Sequence, residues 1–120
     1  MANNIIVLNR GDSYSFNLTI EDINSINGIY ELTGDDAVYM GIMDPNQPFE
    51  FALIKKKFTV DDLDEAGNLF IEITPEDTLD LLPGIYYYSI KLKQDHTDDY
   101  GEEISGVKTI IGKTKFILCE

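Results

Sequence analysis

Strict alternation of apolar and polar residues constrains this chain more than any other feature. Tyr14, Phe16, Leu18 and Ile20 alternate with Ser13, Ser15, Asn17 and Thr19. Successive side chains of a strand point to opposite faces, so a period of two marks a half-buried strand. Leu69, Ile71 and Ile73 repeat the pattern against Phe70, Glu72 and Thr74. Tyr86, Tyr88, Ile90 and Leu92 do so against Tyr87, Ser89, Lys91 and Lys93. Val38, Met40 and Ile42 form a fourth row, and Phe49, Phe51 and Leu53 a fifth. Residues 5–8 open the set, and residues 107–119 close it with a break at Gly112.

Between these rows stand residues that accept turn dihedrals: Asn9 to Asp12, Asn24 to Gly28, Thr33 to Asp35, Asp44 to Asn46, Ala66 to Asn68, and Tyr100 with Gly101. About seven short strands separated by such turns predict an all-β, antiparallel β-sandwich. One helical turn is expected near 75–82, with Thr74 as cap, Pro75 at the first helical position and Asp77 three residues after the cap. A length of 120 residues without repeat or linker predicts a single domain over 1–120.

Residues 81–86, Leu-Leu-Pro-Gly-Ile-Tyr, join the helical turn to a long strand. Pro83 fixes one dihedral and Gly84 is expected to supply a sharp bend. Tyr86 is then placed as a tyrosine corner of the immunoglobulin-like type, its hydroxyl bonded to backbone a few residues upstream. The second faces of two rows are unusually apolar. Ala37, Tyr39, Gly41 and Met43 lie between Val38, Met40 and Ile42, and Ala52 and Ile54 lie between Phe51, Leu53 and the lysines that follow. A loop or another subunit must cover them, and a subunit contact through Ala37, Tyr39, Met43, Ala52 and Ile54 is favoured.

Charge narrows the partners. With 22 acids against 9 bases the net charge is -13, which repels duplex DNA and anionic membranes. No nucleic acid or membrane partner is expected. The eight lysines sit on or beside expected strands, whereas the acids gather in connections. If the strands alternate in direction, one pole collects Glu21, Asp22, Glu31, Asp35 and Asp36. It also collects Asp61, Asp62, Asp64 and Glu65, and then Asp95, Asp98, Asp99, Glu102 and Glu103, unless Ile29 to Leu32 forms a strand of its own, which flips the parity and moves the two later loops away from the first.

Candidate chemistry is thin. Residues 62–67 begin like a calcium loop, D-x-D-x-x-G, but Ala66 and Ile73 stand where ligands are required. His96 is the single histidine and is expected to be solvated at a hairpin tip. Cys119 is the single cysteine, which excludes an intrachain disulfide and fits a small apolar residue on the last strand. Arg10-Gly11-Asp12 reads as a turn. Tyr30, Tyr39, Tyr87 and Tyr100 are the candidates for stacking on a sugar. No catalytic set, metal or cofactor site is expected, so the chain reads as a non-enzyme. The first residues lack a basic segment and a long apolar run, which predicts synthesis without export by the general route.

The order of segments carries a resemblance. Arg10-Gly11-Asp12-Ser13 precedes an alternating strand, and Tyr30-Glu31-Leu32-Thr33-Gly34 leads into the next. Gly67 to Thr78, Leu81 to Ile90 and a turn at Thr109-Ile110-Ile111-Gly112 follow. This resembles the small immunoglobulin-like β-sandwich modules of tailed bacteriophages, in particular the N-terminal domain of the baseplate upper protein family. The resemblance implies a virion component that docks to other structural proteins and oligomerises. In that family the module heads a longer chain. A chain ending with the sandwich points to a decoration, neck, tail or baseplate accessory role in the virion. The alternative is a carbohydrate- or cell-surface-binding module.

Overall fold

The computed structural model describes residues 4–21 and 28–120. Among them, seven strands form two sheets. They are β1 (Ile6–Asn9), β2 (Tyr14–Leu18), β3 (Ala37–Met43), β4 (Ile54–Thr59), β5 (Leu69–Ile73), β6 (Gly84–Thr97) and β7 (Glu103–Cys119). The larger sheet has the order β1-β7-β6-β3-β4, and β2 pairs with β5 in the smaller one. The chain is therefore an all-β, sandwich-like fold. Every pairing is antiparallel except that of β1 with β7, which is parallel. Of the expected turns, residues 24–27 lie outside the described residues, as does Asp22 of the acidic set.

The alternating rows meet in one core. Val38, Met40 and Ile42 of β3 and Tyr88, Ile90 and Leu92 of β6 face Leu69, Ile71 and Ile73 of β5, all buried. Phe116 and Leu118 of β7 and Ile6 and Leu8 of β1 complete that layer. Each fully buried aliphatic side chain contributes about 1.5–3 kcal/mol, so this face anchors the fold. Lys56 closes one side of the sandwich. Its ammonium lies 2.6 Å from Asp77 Oδ2 and donates to the Glu72 carbonyl at 2.7 Å, joining β4 to β5.

The helical turn is α1 (Pro75–Leu79), shorter than the 75–82 expected. Asp77 accepts the Thr74 amide at 2.8 Å, holding the first turn as the capping pattern required. Two further corrections concern strands. The row Phe49, Phe51, Leu53 is a single 3-10 turn, Phe49–Phe51, and the strand is the lysine-rich β4 that follows. The last strand does not break at Gly112. β7 runs on to Cys119 and instead carries an extra residue at two points opposite Tyr88 to Lys91, as β-bulges do.

Tyr86 is buried, and its hydroxyl donates to the Leu82 carbonyl at 2.5 Å. Gly84 is already the first residue of β6, paired with Leu118, so the bend falls before it, around Leu81 and Pro83. Replacing Tyr86 with Phe removes one buried hydrogen bond without changing the ring. It should cost about 1–2 kcal/mol in a denaturant titration, and a neutral result would mean the bond does not form in solution.

Candidate functional site: the lysine face and the acidic pole

Directly opposed residues of an antiparallel pair share a face. On β3, Val38, Met40 and Ile42 point into the core, so Ala37, Tyr39, Gly41 and Met43 point outward. Four of their cross-strand partners are lysines. Lys57 and Lys91 flank Tyr39, Lys55 stands opposite Gly41, and Lys93 opposite Ala37. On the far side of β6, Tyr87 stands opposite Lys115. Five of the nine bases thus decorate the outer face of the large sheet.

The residues expected at a subunit contact are placed unevenly. Ala37 and Met43 are 3% and 0% exposed, covered within the chain itself, and Tyr39, Ala52 and Ile54 are half-buried. The 3-10 turn after β3 folds back over the strand. A Cβ on Gly41 would lie 2.7 Å from the Phe49 ring and 3.1 Å from Ala52 Cβ, so only glycine admits this cover. Lys91 Nζ then sits 4.8 Å from the centre of the Phe49 ring, and Lys57 Nζ 5.9 Å from that of Tyr39, both within cation–π range. The loop closes over the upper part of the face. The lower part, around Tyr39, Lys57 and Lys93, opens into a concavity of about 610 Å³.

The strand directions set the acids at one pole. β6 and β4 end there, and β3, β5 and β7 begin there. The connections at residues 28–36, 60–68 and 98–102 therefore share that end. Residues 29–32 form no strand of their own; Ile29 makes an isolated bridge to Glu21. Arg10 lies at the opposite pole, 3.6 Å from Glu120 Oε1. Each acidic turn uses its own carboxylates. Asp64 Oδ1 accepts the amides of Ala66 and Asn68, both at 2.9 Å, which accounts for the calcium-like spacing as turn chemistry. Asp98 Oδ1 likewise accepts the amides of Tyr100 and Glu102 at 2.9 Å.

Asp36 is different, because it is fully buried. Its Oδ1 accepts the Asp95 amide at 2.7 Å and lies 2.9 Å from His96 Nδ1. Its Oδ2 accepts the Thr33 amide at 3.1 Å and the Tyr30 hydroxyl. Burial works to raise its pKa, but the bonds from Tyr30, Asp95, His96 and Thr33 outweigh it and hold the carboxyl below its ordinary value. An ionised carboxylate only accepts, so His96 Nδ1 carries a proton. Gly34, at φ 60°, lets the chain lie against the hairpin: a Cβ there would come within 2.8 Å of His96 Cβ. His96 is consequently not the solvated tip residue expected, with a side chain only 11% exposed. Strand parity is the signal that finds it, since Gln94 and His96 continue the inward row of Ile90 and Leu92.

The four tyrosines considered for a sugar do not gather on one surface. Tyr30 is bonded to Asp36, Tyr39 lies under Lys57, Tyr87 stands opposite Met43, and Tyr100 is 94% exposed at the hairpin tip. Cys119 is free and half-buried at the end of β7. Among the described residues, no three metal-ligating side chains converge, and no helix is long and apolar enough to cross a membrane. No family model, no curated protein and no solved structure matches this chain.

Asp36 makes stability depend on acid. Its folded pKa lies below the ordinary 3.8, so its contribution is complete above that value and is lost as pH falls through the folded one. Asp36→Asn should cost about 2–3 kcal/mol at neutral pH. It should also flatten the decline of urea-measured stability below about pH 4, leaving the part that belongs to Asp64 and Asp77. An unchanged acid limb would show that the carboxylate is not held as described.

Proposed function

We propose that this chain is a non-enzymatic structural subunit of a tailed-phage virion, a head, neck, tail or baseplate accessory acting through protein–protein contacts. The observation that carries the reading is the outer face of the large sheet, where strand lysines flank the Tyr39 ring and the Phe49 ring folded over the strand. Rings and cations held on strands lose little conformational entropy on docking, and aromatic side chains are enriched at protein interfaces. The ordered likeness of its segments to phage sandwich modules supports the same reading, as does a net charge of -13, which disfavours nucleic acid.

The partners proposed are other virion structural proteins and further copies of the chain. The site of action is the assembled particle, after synthesis in the bacterial host. Quantitative mass spectrometry of purified, intact particles tests this. The chain should be present at a fixed ratio to the major tail or capsid protein and should survive gradient purification. Its absence from intact particles would contradict the proposal. Specific retention on a glycan array by an isolated monomer would favour the carbohydrate-binding alternative.

A further inference from the structure

We infer that the tip of the β6–β7 hairpin of one copy docks onto the lysine face of a second copy, giving a head-to-tail assembly. The inference deepens the assembly reading and rests on it only in requiring a protein partner.

Two complementary surfaces stand on the same chain. The hairpin projects. β3 stops pairing with β6 at Lys93, while the ladder with β7 continues to Thr97 and Glu103. Four further residues at about 3.3 Å each carry the turn on the order of 13 Å past the start of β3. The whole molecule measures 50 × 29 × 29 Å, in keeping with such an extension. The tip carries Asp99, Glu102 and Glu103 around Tyr100, which is 94% exposed. It is also ordered in advance. The Asp98 amide donates to the Glu102 carbonyl at 2.8 Å, and the Asp98 carboxylate takes two amides of the turn. A pre-ordered turn presenting an exposed aromatic ring among carboxylates loses little entropy on binding.

The receiving surface is the outer sheet face, where Lys55, Lys57, Lys91 and Lys93 carry charge opposite to the tip, above a concavity of mixed sign. Lys57 and Lys91 lie two strands apart on either side of Tyr39, a spacing of about 9–10 Å that matches the width of a two-stranded tip. The concavity beside them has Tyr39 and Ala37 in its lining, with Lys57 and Lys93 above and Asp35, Asp61 and Asp95 below. A phenol suits that lining: its ring lies beside Tyr39, and its hydroxyl donates to a carboxylate of the lower wall. Asp99 and Glu102 then meet Lys57 and Lys93. The tip cannot reach its own face, because it leaves along the strand direction. The contact is therefore between copies, and it uses different patches on the two partners. Such heterologous contacts build rings or filaments rather than closed twofold dimers.

Salt separates the forces involved. Whole-molecule repulsion between copies at -13 is long-ranged and is screened at about 0.1 M salt, whereas contact pairs persist until about 1 M. Sedimentation equilibrium of the full chain at about 0.1 M salt should show mass rising with concentration past a dimer. Replacing the face pair (Lys57→Gln with Lys93→Gln) should weaken association roughly tenfold or more, as should replacing the tip (Asp99→Asn, Tyr100→Ser and Glu102→Gln). Mixed in equal amounts, the two variants should form one heterodimer and nothing larger, since each retains the surface the other lacks. Circular dichroism checks that both are folded, and the single changes Lys57→Gln and Tyr100→Ser replace them if either is not. A wild-type chain that stays monomeric, variants that associate as well as wild type, or a mixture that stays monomeric would each overturn the inference. A monomer that is nonetheless a constituent of purified particles overturns self-docking alone and leaves the assembly reading standing.

Discussion

The lower half of the molecule depends on one buried carboxylate. Asp36 is withdrawn from water, and an ionised group in that position is costly unless its oxygens are occupied. Here they are, by the Tyr30 hydroxyl, the Thr33 amide, the Asp95 amide and His96. Two of these donors come from the connection before β3 and two from the end of β6. The bonds therefore fix the height at which the connection crosses the hairpin. A further bond, from the Asp35 amide to the Asp95 carbonyl at 2.8 Å, repeats the link in the backbone. The connection at residues 28–36 and the end of β6 are thus tied to one internal anion, and the base from which the hairpin projects is held by it.

The second organising effect is the sidedness of the large sheet. Its inner face is aliphatic and aromatic and carries the burial energy. Its outer face carries lysines on β4, β6 and β7. Exposed edges are guarded. β4, an edge strand, holds three successive lysines. Beyond the four residues of β7 paired with β1, no described strand covers its outer edge. That stretch holds Lys108, Lys113 and Lys115 and two bulges, the features that discourage edge-to-edge aggregation. Specific docking is then left to side-chain surfaces, which is where the lysine face and the hairpin tip lie.

Much of this was legible in the chain before its structure. Period-two rows place β3, β5 and β6 correctly because each turns a row of apolar side chains into the core, and β2 because Phe16 and Leu18 pack half-buried against it. The same logic misleads at Phe49, Phe51 and Leu53, where the alternation belongs to a loop. Phe51 and Leu53 are 67% and 49% exposed, and Phe49 serves as a lid on Gly41. The true strand beside it, Ile-Lys-Lys-Lys-Phe-Thr, hides its period because an edge strand can carry lysines on both faces, Lys56 reaching from the inner face to Asp77. Loop parity places the acids at one pole, since the residues around Ile29 do not add a strand. The bond between Asp36 and His96 spans 60 residues, and no local pattern announces a pairing at that distance. The parity of β6 shows only that His96 faces inward; its partner emerges from the turn at Gly34, which needs the fold to be seen.

Amide hydrogen exchange resolved by residue tests the role of Asp36 most directly. The amides of Thr33 and Asp95 donate to its carboxylate, so both should exchange slowly in the native chain. In Asp36→Ala, which leaves neither amide an acceptor, these two should lose protection together while the amides of β1 and the upper half of β7 keep theirs. Fast exchange at Thr33 and Asp95 in the native chain, or unchanged protection in the variant, would contradict the account.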